Sequence, residues 1–400
     1  MTEYPRVAVE RAMTRREVML RAMSGAIHWF QAAEILGMSP RSLRRWRERY
    51  QKFGYEGLYD HRWKRPSPRR VPMELAEKVL QLYREQHQGF NVRHFHDLLK
   101  EEHGIRLSYT WVKTALRSAG LVAKHRQRGP HRQRRPRRPL PGMLVHLDGS
   151  EHAWFPLEDQ RQDLLAVMDD ATSQVYYARF VEEESTRTVM EALRAVVAGQ
   201  GLFCSLYTDR ASHFVTTRKA GEAPDREVLT EVARALDQLG IELIPANSPQ
   251  ARGRSERLFG TWQGRLPQEL RRRGIATYAA ANQFLDQVWI PFHNRRFAVP
   301  PEQQGTAFLP CRMNLEELNR VFSLHHPRVV ANDNTVRVRG LVLQIPPSPQ
   351  RFHFVRSRVI VYEHLDQTFS VARGPHLLGR FDREGNPLRT KTPHRKVNVA

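Results

Sequence analysis

The chain has 400 residues, with 40% hydrophobic and 26% charged side chains and a formal net charge of +22. That length exceeds one ordinary core and predicts two to four domains. It contains no apolar run long enough to span a membrane, and Arg6, Arg11, Arg15 and Arg16 interrupt any N-terminal signal region. Only two cysteines occur, Cys204 and Cys311, which excludes a disulfide framework and a cysteine-based zinc site and points to a reducing, cytoplasmic home.

The charge is unevenly placed. Residues 1–142 hold 31 Lys/Arg against 13 Asp/Glu, a net of +18, whereas the other 258 hold 33 against 29, a net of +4. A positive field confined to one third of a chain is the footprint of a nucleic-acid-binding region. A merely solvated basic surface is the plain alternative, and helix-turn-helix spacing in place of one amphipathic stripe argues against membrane-surface binding.

Residues 1–60 read as a helix-turn-helix module. Thr14 and Glu17 form a capping box, a helix includes Gln31 to Leu36, and Gly37 turns the chain. A second helix buries Leu43, Trp46 and Tyr50 and turns Arg41, Arg44, Arg45 and Arg47 toward DNA. Residues 61–122 repeat the pattern after an Arg/Pro-rich linker. Met73–Gln86 is amphipathic, Asn91 caps a helix carrying Val92, Phe95, Leu98 and Leu99, and Gly104 breaks it. Ser108 then caps a helix with Trp111, Val112 and Leu116 inward. Residues 123–142 form a basic arm in which Arg126, Arg128, Arg132, Arg134, Arg135, Arg137 and Arg138 suit the phosphate backbone.

From residue 143 to 300 the pattern becomes α/β. Strands are expected at Met143–Leu147, Leu164–Met168, Val175–Val181, Leu202–Tyr207 and Glu242–Pro245. Helices are expected at about Thr186–Ala198, Glu227–Leu239, Gly253–Arg273 and Tyr278–Asn294. Three strands followed by alternating helices and strands suit a mixed sheet covered by helices. Residues 301–325 read as a linker and 326–385 as a small β-barrel, with strands at Val336–Ile345, Arg358–Tyr362, Thr368–Val371 and His376–Phe381. Arg356, Arg358 and Arg380 could meet DNA there, and residues 386–400 form a basic tail.

Three carboxylates carry the chemistry. Asp148 is expected at the end of the first core strand, Asp209 at the end of the fourth, and Glu256 in the first turn of the long helix. Ligand sites gather beyond strand ends in open α/β sheets. Three converging carboxylates repel unless cations lie between them, and an all-oxygen site suits magnesium or manganese, two ions serving phosphoryl transfer. Asp169 and Asp170 are competing acids, better suited to a hairpin turn. Arg252, Arg254 and Arg257 flank Glu256 and suit DNA. His146 and His213 carry no assignment.

Residues 143–300 resemble the integrase catalytic core of DDE transposases, the retroviral-integrase superfamily. The phrases Asp148-Gly149-Ser150, Val167-Met168-Asp169-Asp170-Ala171-Thr172-Ser173 and Ala246 through Arg257 are similar to ISNCY-type bacterial insertion-sequence transposases. The resemblance implies a multidomain α/β chain with a ribonuclease-H-like core, preceded by helix-turn-helix modules and followed by a small barrel. It assigns the three metal-holding acids to Asp148, Asp209 and Glu256, with Mg²⁺ or Mn²⁺ as cofactor. Double-stranded DNA, both transposon ends and target, is the expected partner of a homo-multimer at the bacterial nucleoid, with no membrane involved. The 46 residues between Asp209 and Glu256 exceed the spacing of many integrase cores, and a loop at Thr216–Asp225 accounts for the excess. A catalytically silent, domesticated regulator is the rival reading; loss of one acid would mark it, and all three are present.

Overall fold

The computed structural model describes residues 4–59, 70–123, 135–155, 160–216, 229–246, 253–347, 351 and 353–388. The chain divides into two compact units, residues 1–82 and 83–400.

The first unit is helical: α1 (Arg6–Met23), α2 (Trp29–Ile35) and α3 (Pro40–Phe53). Their core includes Ala12, Met19, Ala32, Ala33, Leu43 and Leu58. The expected cap at Thr14 is not a helix start. The Thr14 hydroxyl donates back to the Glu10 carbonyl at 2.9 Å, because good helix formers upstream carry α1 through that position. Gly37 takes a φ of 59°, the left-handed turn between α2 and α3 that a Cβ would oppose. Ser39 then caps α3 by accepting the Ser42 N–H at 3.2 Å, with Pro40 fitting the first turn.

The second unit begins within α4 (Met73–Gln86) and continues with α5 (Val92–Glu101) and α6 (Tyr109–Ser118). Asn91 and Ser108 cap these last two helices as expected. A five-stranded sheet follows, built from β1 (Val145–His152), β2 (Gln162–Asp169), β3 (Val175–Val181), β4 (Ser205–Thr208) and β5 (Glu242–Pro245). Its order is β3-β2-β1-β4-β5. The first three strands pair antiparallel, and β4 and β5 join β1 in parallel. This is the mixed sheet expected of the core.

Both faces of the sheet are covered. Leu165 and Val167 of β2 pack with α7 (Thr186–Gln200) and α8 (Glu231–Gln238). Leu164, Ala166 and Met168 meet Leu258, Trp262 and Leu266 on the other side. A strand buried on both faces reads as a continuous apolar run, which is why β2 is so plain in the sequence.

Three expectations for this core are corrected. β1 runs on to His152, because β2 pairs with it along its whole length. The helix expected over Gly253–Arg273 is two helices, α9 (Gly253–Gln263) and α10 (Leu266–Arg272). Pro267 supplies no N–H and its ring opposes the carbonyl one turn back, so the helix stops and restarts. The next helix pair, α11 (Tyr278–Phe284) and α12 (Ile290–Phe297), is joined by a π turn at Leu285–Trp289, with Pro291 at the start of α12.

Beyond the core, α13 (Leu315–Val321) and the start of β6 (Leu324–Val329) fall within the C-terminal part of the expected linker. β6 joins β9 (Arg358–Glu363), β10 (Phe369–Arg373) and β11 (His376–Phe381) in a four-stranded sheet ordered β11-β10-β9-β6. β7 (Thr335–Val338) and β8 (Leu341–Gln344) form a separate hairpin. Arg339 and Gly340, at φ of 46° and 79°, turn the single strand expected there back on itself. The sheet and the hairpin share a core of Val336, Leu343, Val361, Val371 and Phe381. Among the described residues no ladder joins β6 to β11, so the strands expected as a barrel form an open four-stranded sheet and a separate hairpin.

The helix pair α5–α6, expected to belong to a separate module, lies in the same unit as the sheet. Buried charge explains this. Asp97 faces Arg265 at 2.9 Å and Arg296 at 2.6 Å, His94 bonds Glu269 at 2.9 Å, and Arg272 meets Glu102 at 2.6 Å. Asn91 donates to the Gly264 carbonyl at 2.5 Å, and a Cβ on Gly264 would stand 2.8 Å from that same amide nitrogen.

Burial alone would push the Glu269 carboxyl up. The His94 hydrogen bond and the charges of Arg273, His94 and Arg272 outweigh it and hold the group at about 2. A carboxyl held below its unfolded value contributes stability above that value and loses it as pH falls through the folded one. Glu269→Gln is therefore expected to lower stability by about 3 kcal/mol near neutral pH. Urea unfolding against pH should show that difference shrinking between about pH 4.5 and about pH 2. A constant difference across that window would remove Glu269 as its source.

Candidate active site and DNA-binding surfaces

β1 and β4 pair at Val145↔Leu206 and His146↔Tyr207. Continued by two residues, that register sets Asp148 beside Asp209, on strands about 4.8 Å apart. Asp148 lies mid-strand in β1, opposite Ala166 of β2, and is 8% exposed. It stands where the parallel pairing ends, because β4 stops at Thr208. Asp209 follows directly, and its Oδ1 accepts the Ala211 N–H at 3.0 Å.

Glu256 is exposed in the first turn of α9. Two contacts fix how that helix lies against β1. Arg254 Nε and His146 Nε2 meet the same oxygen, Asp170 Oδ1, at 2.5 and 2.9 Å. Gln263 Nε2 donates to Ser150 Oγ at 3.2 Å. The span from Arg254 to Gln263 is about 13.5 Å along a helix, and from His146 to Ser150 about 13 Å along a strand, so the two elements run side by side. Glu256 and Gln263 are seven residues apart and share one stripe of α9. The stripe of α9 that packs inward is Ser255, Leu258, Phe259 and Trp262, and Glu256 is exposed beside it on the Gln263 side. Among the described residues no three His, Cys, Asp or Glu side chains are drawn close enough together to hold one metal ion.

Asp169 and Asp170, the competing acids, have different roles. Asp169 makes the turn: it accepts the Thr172 N–H and hydroxyl, both at 2.7 Å, and the Gly142 N–H at 2.9 Å. Burial pushes its carboxyl up despite those bonds. Asp170 is an electrostatic centre. Burial opposes its charge, but the His146 bond, the Arg138 N–H at 2.8 Å and the Arg254 guanidinium hold its carboxyl far below the usual range. Burial pushes the His146 imidazole down, and its Nε2 meets that carboxylate at 2.9 Å.

This centre also engages part of the basic arm. Arg135 pairs with Asp170, and Arg137 donates to the Asp170 carbonyl at 2.8 Å and to Ser173 Oγ at 2.9 Å. Arg135 and Arg137, expected on DNA, are thus bonded to the core, Arg135 through the buried carboxylate and Arg137 through carbonyls and a hydroxyl, whereas Arg138 gives only its backbone N–H and its side chain is exposed. Arg126, Arg128, Arg132, Arg134 and Arg252 lie outside the described residues, as do Asn247 to Ala251 of the motif preceding α9. Arg257 is exposed on α9.

Sequence reasoning missed a fourth carboxylate. Glu184 accepts from His213 Nε2 at 2.9 Å, four residues past Asp209. A Cβ on Gly149, next to Asp148, would come within 2.1 Å of Glu184 Oε2. The Asp-Gly pair is thereby explained by a close approach, although nothing in the run Glu182-Glu183-Glu184 marks which acid makes it.

On α3, Arg41, Arg44 and Arg45 are exposed, and Leu43 is 1% exposed on the opposite stripe. Arg47, expected beside them, is half-buried with its guanidinium 4.9 Å from the centre of the Trp29 ring. It packs the helix pair together.

Residues 14–67 match a family described as a helix-turn-helix domain, and residues 42–116 one described as a homeodomain-like domain. The chain is 32% identical over 347 residues to the protein named "Putative transposase y4bF" of Sinorhizobium fredii, covering 83% of this chain and 75% of that one. The chain belongs to the transposases. The transposase is also 27% identical over 390 residues to the transposase for insertion sequence IS1202 of Streptococcus pneumoniae, covering 88% of this chain and 82% of that one. The catalytic core domain of HTLV-2 integrase, solved in complex with magnesium, aligns with 37% of the transposase and 89% of its own length at 15% identity. That superposition is loose, with a TM-score of 0.28, so the core's fold rests on its own sheet order. No helix among the described residues is long and apolar enough to cross a membrane.

The two kinds of arginine on α3 separate experimentally. Arg44→Ala or Arg45→Ala is expected to reduce discrimination between transposon ends and random duplex by about 1–3 kcal/mol in titrations at fixed salt, with no change in unfolding. Arg47→Ala should instead lower the stability of the first unit by about 1 kcal/mol. The reverse pattern would contradict this division.

Proposed function

We propose that the transposase cuts and joins DNA with Asp148, Asp209 and Glu256 as its catalytic acids and magnesium or manganese as cofactor. The observation that supports this reading is the register: β1 and β4 pair at Val145↔Leu206 and His146↔Tyr207, two residues before Asp148 and Asp209, and α9, with Glu256 in its first turn, meets β1 through Gln263 and Ser150. The donor chemistry fits, since all three groups are carboxylates and hard divalent cations prefer oxygen. Bound there, two such ions supply charge neutralisation and Lewis acidity for in-line displacement at phosphorus.

The chain's own residues supply positioning. Asp148, fixed within paired strands, gives the rigid part of the site, and Asp209 and Glu256 approach from a strand end and a helix start. Water first displaces a 3′-oxygen from a phosphodiester at the transposon end, freeing a 3′-hydroxyl. That hydroxyl then attacks a target phosphodiester, forming one P–O bond as another breaks. Phosphodiester number is conserved in the joining step, so no nucleotide triphosphate is needed.

The helix-turn-helix unit reads end sequence through α3, and Arg257 sits where a phosphate near the site could meet it. Joining two ends calls for two such sites, so the working species is a homo-multimer formed on DNA. The high positive charge of residues 1–142 opposes self-association until DNA neutralises it.

Asp148→Asn, Asp209→Asn and Glu256→Gln are each expected to slow strand cleavage and joining by about 10³-fold or more while leaving end binding intact. Single-turnover assays on labelled ends, alongside binding titrations, check this. A near-wild-type rate in any one variant removes that residue from the site.

A further inference from the structure

We propose that Asp170 is the positioning residue that keeps the carriers of all three acids in register, acting through His146 and Arg254. The inference rests on the reading of Asp148, Asp209 and Glu256 as the catalytic acids. Asp170 is fully buried at the end of β2. Its Oδ1 accepts from His146 Nε2 at 2.9 Å and forms ion pairs with Arg254 Nε at 2.5 Å and with Arg135, and its Oδ2 accepts the Arg138 N–H at 2.8 Å.

Each link ends two residues before a catalytic acid. His146 precedes Asp148 by two on β1 and shares its face. The His146 ring packs edge-on against Tyr207, with centroids 5.2 Å apart, and Tyr207 precedes Asp209 by two. Arg254 precedes Glu256 by two on α9. A turn-forming role does not account for this, because Asp169 already makes the turn bonds to Thr172. A carboxylate this deeply buried is stable only with its donors in place. The donors, and the elements bearing them, are therefore held to one arrangement.

Asp170→Asn in the full-length chain keeps the volume, removes the charge and puts an amide donor against arginine donors. Bound to end DNA, the variant is titrated with Mn²⁺ by electron paramagnetic resonance, and cleavage, end affinity and thermal unfolding are followed in parallel. The half-saturating Mn²⁺ concentration is expected to rise by about 10–100-fold, with end affinity unchanged and cleavage partly restored at high Mn²⁺. Arg254→Gln removes only the α9 link, keeps His146 on Asp170, and is expected to shift Mn²⁺ binding in the same direction even if Asp170→Asn fails to fold. Where Asp170→Asn folds, combining it with Arg254→Gln should add little to its shift.

Unchanged Mn²⁺ binding in Arg254→Gln, or fully additive shifts in the double variant, overturns the inference. Wild-type cleavage by Glu256→Gln overturns instead the reading of the acids on which it rests.

Discussion

A charge taken out of water must be met by donors or opposite charge, and the catalytic unit is organised around carboxylates under that constraint. Asp170 is the clearest case: at full burial it gathers an imidazole, a backbone N–H and guanidinium groups from the arm, from β1 and from α9. Segments distant in sequence are thereby drawn to one point beside the sheet. Apolar packing is permissive about small displacements of whole elements, whereas a buried carboxylate with several directional partners is not. The strand bearing Asp148 and the helix bearing Glu256 meet at such a point.

The same constraint sets the boundary between the units. The α5–α6 pair has the capping and apolar spacing of an independent helical module, yet His94 and Asp97 are buried on α5 against Glu269, Arg265 and Arg296. A helix that buries charge needs its partners permanently present. The helices behind the catalytic sheet supply them, so this pair is part of the catalytic unit. The helix α3 lies in a separate unit, while Arg135 and the Arg138 N–H are fastened to the core by Asp170.

Much of this was legible in the sequence. β3, β5 and β11 match their expected limits, and Asn91, Ser108 and Gly37 act as their residue types imply. Period-two and period-3.6 apolar patterns report burial directly, and capping side chains act within a few residues. Less legible were features set by distant partners. Thr14 resembles a cap but back-bonds within a helix continued by its neighbours. Asp170 and Glu184 resemble ordinary turn and surface acids, and only the tertiary fold gives them His146, Arg254 and His213. Arg47 shares its helix and charge with Arg44 and Arg45, and the Trp29 ring beneath it sets it apart. The proposed acids were read from type, order and context, while their relative placement depends on a strand register and a helix direction that spacing does not encode.

The most direct measurement is anomalous scattering from manganese in crystals of the full chain bound to its end DNA. Manganese peaks between Asp148 and Asp209, with Glu256 adjoining, are the predicted result. Manganese held by other residues next to the scissile phosphate, with these three carboxylates turned away from it, would contradict the proposed site.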